Sequence, residues 1–204
     1  MVRRVFCSAI VLLTMVGVSS AAPVIVVGEH DLQADTADQT IEIYVSGGES
    51  VSGLNLFVQV GDGGPELSGY GLAAGSDGPS ITGVELKPGG GIFAGIPDSQ
   101  TDNPGIPQVK NSTIAMTGGG SVSAEGLLAV LTIDTRGFHA EDAETTWDLK
   151  LKGVLPGLGP WDTDFAPTTA EITDGSITVV PEPASVGLLV VGGVGLVGRR
   201  RRTS

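Results

Sequence analysis

The chain of 204 residues is poor in the side chains that disulfide-bonded domains and many active sites use. It contains one cysteine, two histidines and nine aromatic residues. Because the cysteine, Cys7, lies in the apolar N-terminal segment described below, the body of the chain has no cysteine for a disulfide or a metal site. Such a domain must be held together by buried apolar side chains.

Basic side chains are also scarce in the body of the chain. Residues 22–180 carry five Lys and Arg against 22 Asp and Glu, a net charge of −17. Such a surface repels the phosphates of nucleic acids, so we predict no nucleic-acid partner. The length of this region is enough for one domain with a real core.

No catalytic constellation can be identified in the sequence. The serine-rich segment 118–126 lacks a G-x-S-x-G elbow, and the polar surroundings of His30 and His139 are typical of exposed loops. Residues 193–198 satisfy G-x-G-x-x-G but leave no chain for a βαβ unit, which excludes a dinucleotide site. We therefore predict that the protein is not an enzyme, with a polysaccharide-acting enzyme as the remaining alternative.

The first 21 residues have the pattern of a secretory signal peptide. Arg3 and Arg4 form a basic start, residues 5–18 form an apolar segment, and small residues follow as far as Ala22. Cleavage by signal peptidase after Ala21 avoids placing Pro23 directly after the cut. We therefore predict an N-terminal signal helix and secretion of the rest of the chain.

Short runs of alternating apolar residues fill residues 22–180, separated by Gly, Pro, Asp, Asn and Ser. The clearest strands are predicted at 40–46, 53–60, 126–134, 145–153 and 175–180, and weaker ones at 24–27, 81–86, 112–117 and 170–173. Segment 126–134 is apolar on both faces, as in the middle of a sheet, and Trp147 is predicted to lie in the core. No convincing helical segment interrupts these strands. About eight or nine strands predict an all-β, antiparallel two-sheet β-sandwich of jelly-roll or immunoglobulin-like kind, with a closed barrel as the alternative.

Candidate ligand contacts lie near Trp161, which is interpreted either as a sugar-stacking residue or as a loop residue folded over the sandwich edge. Asp162 and Asp164 offer closely spaced oxygen ligands, as does the acidic segment 141–144. Neither matches an EF-hand loop, so no cofactor is predicted as required, and a Ca²⁺ site or solvated acids remain open. The Gly- and Pro-rich segment 88–108 is predicted to be a long surface loop suited to binding.

Residues 181–204 contain three features in order: Pro181, Glu182 and Pro183, then an apolar segment at 184–198, then Arg199, Arg200, Arg201 and Arg202. This arrangement resembles the C-terminal sorting signal of PEP-CTERM proteins. The resemblance implies that an exosortase, a membrane enzyme, recognises the Pro-Glu-Pro sorting motif and processes the tail. It also implies bacteria that make extracellular polysaccharide and biofilm matrix.

The apolar part of the tail is short for a permanent membrane anchor. Residues 186–198, as a helix, span about 20 Å at about 1.5 Å per residue, against a hydrocarbon core of about 30 Å. We predict a short C-terminal transmembrane helix that holds the protein transiently before processing. The four arginines act as a membrane stop on the cytoplasmic side and leave the acidic domain outside.

Parts of residues 24–180 resemble cohesin-like sandwich modules in the segments VSGLNLFVQV, GLLAVLTID and DGSITVV. Cohesins bind dockerins, so this resemblance implies a protein-binding module. We predict a secreted β-sandwich at the cell surface or in the extracellular matrix with a structural or adhesive role. A carbohydrate- or protein-binding module is the alternative, with an extracellular polysaccharide or a matrix protein as its partner.

Overall fold

The computed structural model describes residues 22–96, 101–103, 105–142, 145–155 and 159–181. The predicted signal peptide lies outside the described residues. So do Glu182 and Pro183, the predicted transmembrane helix at 184–198 and the arginines at 199–202. No helix within the described residues is long and apolar enough to cross a membrane.

The described residues form sixteen strands and one short 3-10 helix. The strands are β1 (Val24–Val26), β2 (Glu29–Gln33), β3 (Gln39–Ser46), β4 (Ser50–Val51), β5 (Gly53–Val60), β6 (Ser80–Glu85), β7 (Thr101–Asn103), β8 (Val109–Met116), β9 (Val122–Ser123), β10 (Gly126–Asp134), β11 (Thr146–Lys150), β12 (Lys152–Leu155), β13 (Gly159–Asp162), β14 (Asp164–Ala166), β15 (Glu171–Thr173) and β16 (Gly175–Val180). The 3-10 helix is Pro65–Tyr70.

Two sheets form the sandwich. Sheet A has the strand order β15-β1-β3-β10-β6, and sheet B has the order β2-β16-β11-β5-β8-β7. Strand β14 also pairs with β5, on the edge that β11 occupies further along the strand. The pairs β12–β13 and β4–β9 form separate two-stranded ribbons. The predicted all-β sandwich is confirmed, but the described residues form sixteen strands instead of the predicted eight or nine, because several are strands of only two to four residues that alternation does not mark.

The core lies between the sheets and follows the period-two alternation of the sequence. In β3, Ile41, Ile43 and Val45 are buried, whereas Glu42 and Tyr44 on the opposite face are exposed. Four residues of β5 alternate into the same core: Leu54, Leu56, Val58 and Val60. A sheet whose strands are apolar on one face must bury that face against another layer, and here the other layer is the second sheet.

The first two strands of the described domain pair in parallel with the last two, which corrects the predicted all-antiparallel arrangement. Strand β1 pairs with β15 in sheet A, and β2 pairs with β16 in sheet B, both in parallel. The two chain segments therefore cross from one sheet to the other side by side, and Gly28 and Gly175 lie at the crossing. There the Ser176 N–H donates to the Gly28 carbonyl over 3.0 Å.

All nine predicted strand regions contain strands, and segment 126–134 is β10 with the predicted bounds, between β3 and β6. Trp147 is 4 % exposed, as predicted for a core residue. Its ring packs edge-on against Phe138 at a centroid distance of 5.3 Å. Segment 145–153 was predicted as one strand, but Leu151 separates β11 from β12 because its N–H donates to Asp174 Oδ1 over 2.9 Å.

Segment 88–108 is more ordered than the predicted surface loop. Phe93 is fully buried in the core, and the Ile92 N–H donates to the Leu127 carbonyl over 2.9 Å. The Lys87 ammonium binds the Ile96 carbonyl. Strand β7 lies within this segment and pairs with β8. The prediction of a single long loop is therefore wrong, because the segment closes one side of the sandwich with apolar side chains of its own.

Candidate interaction surface

The outer face of sheet B is covered over only part of its area. Phe57 points away from the main core and forms a second apolar cluster with Leu67, Ile106 and Val109. Leu67 belongs to the 3-10 helix Pro65–Tyr70, which therefore covers this part of the face. Within the part of the chain that the structure describes, no such cluster covers the Gly53 end of β5, and two grooves lie there.

The first groove crosses β14, β5 and β8 and has a volume of about 420 Å³. Asn55 lies in register between Asp164 of β14 and Ile114 of β8. Met116, opposite Gly53, is 56 % exposed although it is a large apolar residue. The groove therefore combines aliphatic and thioether surface with a central amide and a carboxylate.

The second groove, of about 540 Å³, continues from the first around the edge of the sheet. Asn55 and Asp164 line both grooves, and Lys152 and Thr169 add polar groups to the second. A carboxylate, an ammonium and an amide thus lie beside an apolar strip. This mixture of apolar surface and hydrogen-bonding groups is typical of protein interaction sites. We call the two grooves together the β5–β14 surface.

Hydrogen bonds fix the position of the strands that form the β5–β14 surface. The Thr163 hydroxyl accepts from the Phe57 N–H over 3.1 Å and contacts the Phe57 carbonyl at 3.2 Å. It thereby holds the start of β14 against β5. The Ser112 hydroxyl donates to Asn55 Oδ1 over 2.9 Å, which orients the amide. Both residues that the grooves share therefore sit on rigid strands, as a binding site requires.

Of the three predicted ligand contacts, Trp161, Asp162 and Asp164, the structure describes the side chain of Asp164. Asp164 is exposed and lines both grooves. Trp161 and Asp162 lie in β13, where they pair with Gly153 and Lys152; their side chains lie outside the described residues. Their role as ligand contacts stays a prediction. Asn55 and Met116 were missed, because neither carries a sequence signal apart from its place on the outer face of a strand.

The other predicted candidates lie apart from the β5–β14 surface. His30 is half-buried in β2, not in an exposed loop as predicted, and its Nε2 is 2.8 Å from the Val27 carbonyl oxygen. Asp142, from the acidic segment 141–144, is exposed and accepts from the His139 N–H over 2.6 Å. Within the described residues no three His, Cys, Asp or Glu are grouped as metal ligands. The calcium site stays a prediction.

The chain emerges from the last strand at an exposed proline. Val179 and Val180 end β16, and Pro181 follows at the surface. Residues 179–202 match the PEP-CTERM protein-sorting motif. This match confirms the predicted resemblance and implies sorting by an exosortase and a destination outside the cell. It begins inside β16, so the motif follows the folded domain without a spacer.

The sandwich is similar in fold to cohesin domains. It matches the seventh ScaB type I cohesin of Pseudobacteroides cellulosolvens with a TM-score of 0.51 and 15% identity, covering 79% of this chain and 94% of that one. A non-cellulosomal cohesin of Archaeoglobus fulgidus matches with a TM-score of 0.51 and 12% identity, covering 82% of this chain and 97% of that one. CaCohA2 of Clostridium acetobutylicum matches with a TM-score of 0.51 and 12% identity, covering 78% of this chain and 92% of that one. CaCohA2 has also been solved in a complex with CaDoc0917. No curated protein matches the sequence.

Proposed function

We propose that the protein is displayed outside the cell after exosortase sorting and binds another protein there, in a structural or adhesive role and without catalysis. The observation that carries this proposal is the β5–β14 surface. It is a solvent-accessible, hydrogen-bonded part of a sheet face that joins an exposed apolar residue, Met116, to a polar centre at Asn55 and Asp164. Grooves that combine apolar side chains with a few placed polar groups are typical of binding sites.

The similarity in fold supports a protein as the partner. Cohesins are protein-binding modules, and CaCohA2 forms a complex with CaDoc0917. The apolar side chains at the surface of the first groove are the exposed Met116, Ala166 and Pro167 and the half-buried Ile114, which are aliphatic or thioether groups. These groups suit the side chains of a protein partner, since methionine adapts to irregular apolar contacts.

A photo-crosslinking experiment tests the proposal on the full chain. A benzophenone amino acid replaces Met116 in one variant and Tyr70 in another, because both residues are exposed to a similar degree, 56 % and 60 %, but Met116 lines the first groove and Tyr70 lines neither of the two grooves. Irradiation of producing cells is expected to give a discrete protein adduct from position 116 and none from position 70. The same adduct must disappear when Asp164→Lys is added.

A glycan array with the purified chain provides the opposing outcome. Saturable binding of a matrix polysaccharide that is lost in Trp161→Ala but retained in Met116→Lys would assign the site to a carbohydrate and refute the protein partner. Equal adducts from positions 70 and 116 would show that the β5–β14 surface is not a specific site. Hydrolysis of a matrix polysaccharide by the purified chain would refute the non-catalytic role.

A further inference from the structure

The outer face of sheet A, which lies on the other side of the sandwich from the β5–β14 surface, carries a second exposed apolar site. Val26 is 57 % exposed and Tyr44 is 52 % exposed. These two residues are direct cross-strand neighbours, and Leu127 of β10 is the neighbour of Tyr44 on its other side. Thr173 of β15 lies beside Val26. The four residues form one row across four strands, which we call the Tyr44 row.

Acidic residues flank the Tyr44 row on both sides. Glu171 lies on one side, two residues before Thr173 in β15. Glu42 lies on the other side, two residues before Tyr44 in β3. Glu85 of β6 continues the second flank, since both Glu42 and Glu85 pair with Val130 of β10. All three carboxylates are exposed. At about 3.4 Å per residue, each flank lies about 7 Å from the Tyr44 row.

The strands of sheet A carry charge of one sign, although Asp134 at the end of β10 is paired with Arg136 just beyond the strand. The five strands of sheet A, all within the described residues, contain Glu42, Glu85, Asp134 and Glu171 but no Lys, Arg or His. The Tyr44 hydroxyl donates to Glu42 Oε2 over 2.5 Å, which orients the carboxylate beside the apolar row and raises the pKa of Tyr44. A face with an apolar row between carboxylates is complementary to a partner with an apolar stripe between cations.

We infer that the Tyr44 row is a docking site for a basic amphipathic helix of a partner protein. The flanks are about 14 Å apart, which accommodates a helix of about 10–12 Å diameter along the row. Four strands at about 4.8 Å spacing make the row about 14 Å long, the length of about ten helical residues. A second copy of this domain is a poor occupant, because its face would bring carboxylates against carboxylates. This site goes beyond the proposed function and uses the opposite sheet.

The probe is a synthetic helix of about twelve residues, stapled because short helices are marginal in water. It has Leu at positions i, i+3, i+4 and i+7 and Lys on both flanks. Its binding to the purified full chain is measured by fluorescence anisotropy at low and at physiological salt. A matched peptide with Glu in place of Lys is expected not to bind. Tyr44→Ala is expected to weaken binding about tenfold or more, whereas Tyr70→Ala, at a similarly exposed tyrosine, changes it less than about twofold.

Charge reversal separates a specific site from general attraction to an acidic protein. Glu42→Lys and Glu171→Lys are expected to weaken binding severalfold, whereas Glu29→Lys on β2 of sheet B alters the net charge equally and leaves binding within about twofold. Equal effects of the three substitutions, or of Tyr44→Ala and Tyr70→Ala, would overturn the inference. A homodimer of the chain that dissociates in the Tyr44→Ala variant would also overturn it, because the Tyr44 row would then bind a second copy. Binding of a glucosamine polymer in place of the peptide would assign it to a cationic polysaccharide.

Discussion

The parallel crossing of the first and last strands has no room for a side chain at Gly175. A Cβ built on Gly175 would lie 1.8 Å from the Gly28 carbonyl oxygen and within 3 Å of the Gly28 carbonyl carbon and nitrogen. All three are backbone atoms, so no rotamer change relieves the contact. Since an ordinary contact is about 3.5 Å, one of the two strands must move by about 1.7 Å. That movement also disrupts the hydrogen bond from Ser176 N–H to the Gly28 carbonyl.

Gly175→Ala is therefore expected to lower the free energy of unfolding by about 2–4 kcal/mol. Overpacking contributes about 1–3 kcal/mol and the lost hydrogen bond about 1 kcal/mol. The assay is unfolding in guanidinium chloride followed by far-UV circular dichroism, in which the midpoint is expected to fall by about 0.5–1 M. Gly89→Ala is the matched control, because its Cβ meets nothing within 4 Å and its φ is not positive. Equal midpoints for the two variants would refute the close crossing of the strands.

Three further predictions concern the core, the Tyr44 row and the tail. Trp147→Ala is expected to destabilise the domain by about 3–5 kcal/mol in the same unfolding assay, because the indole is buried. Trp147→Phe should cost less, but it removes the indole N–H that donates to the Asp77 carbonyl over 3.2 Å. A loss of stability below about 0.5 kcal/mol for Trp147→Ala would contradict the core position. In a Tyr70→Phe background, Tyr44 is the only tyrosine. Glu42→Gln is expected to lower the pKa of Tyr44 in this background, because the carboxylate that stabilises the neutral hydroxyl is lost. An alkaline absorbance titration measures the pKa, and an unchanged value would contradict the hydrogen bond between Tyr44 and Glu42. Replacing Pro181, Glu182 and Pro183 by alanine is expected to leave an uncleaved, membrane-retained chain, and an intact-mass measurement that finds the same C-terminus in both forms would contradict exosortase processing.

The strands that alternation predicts are those that bury one face against the main core. Ile41, Ile43 and Val45 mark β3 clearly, because the period of two is present in the sequence itself. Strand β2 was missed, since its sequence EHDLQ offers only Leu32 to the core and its pairing partner β16 lies far along the chain. The break at Leu151 also depends on a distant residue, Asp174. Such long-range hydrogen bonds leave no local pattern.

The sequence indicated one part of the β5–β14 surface and missed the rest. Asp164 was singled out because acids cluster near Trp161. The groove itself forms only when β14 and β8 pair with β5, which joins Asp164 to Asn55 and Met116 from distant parts of the chain. The tail is the opposite case, because the order of Pro-Glu-Pro, apolar segment and arginines is local and can be read without a structure.

The parallel crossing of the terminal strands also places the start and the end of the described domain at opposite ends of the sandwich. The chain enters β1 beside Ser46 and leaves β16 beside Gln33, at the opposite end of the sandwich. The distance between these ends is about 30 Å, at about 3.3 Å per residue. Gly53, Met116 and Ala166 lie toward the entry end, near Ser52, whose N–H binds the Ala166 carbonyl. The grooves of the β5–β14 surface therefore lie at the end of the domain opposite Pro181, where the sorting motif follows β16.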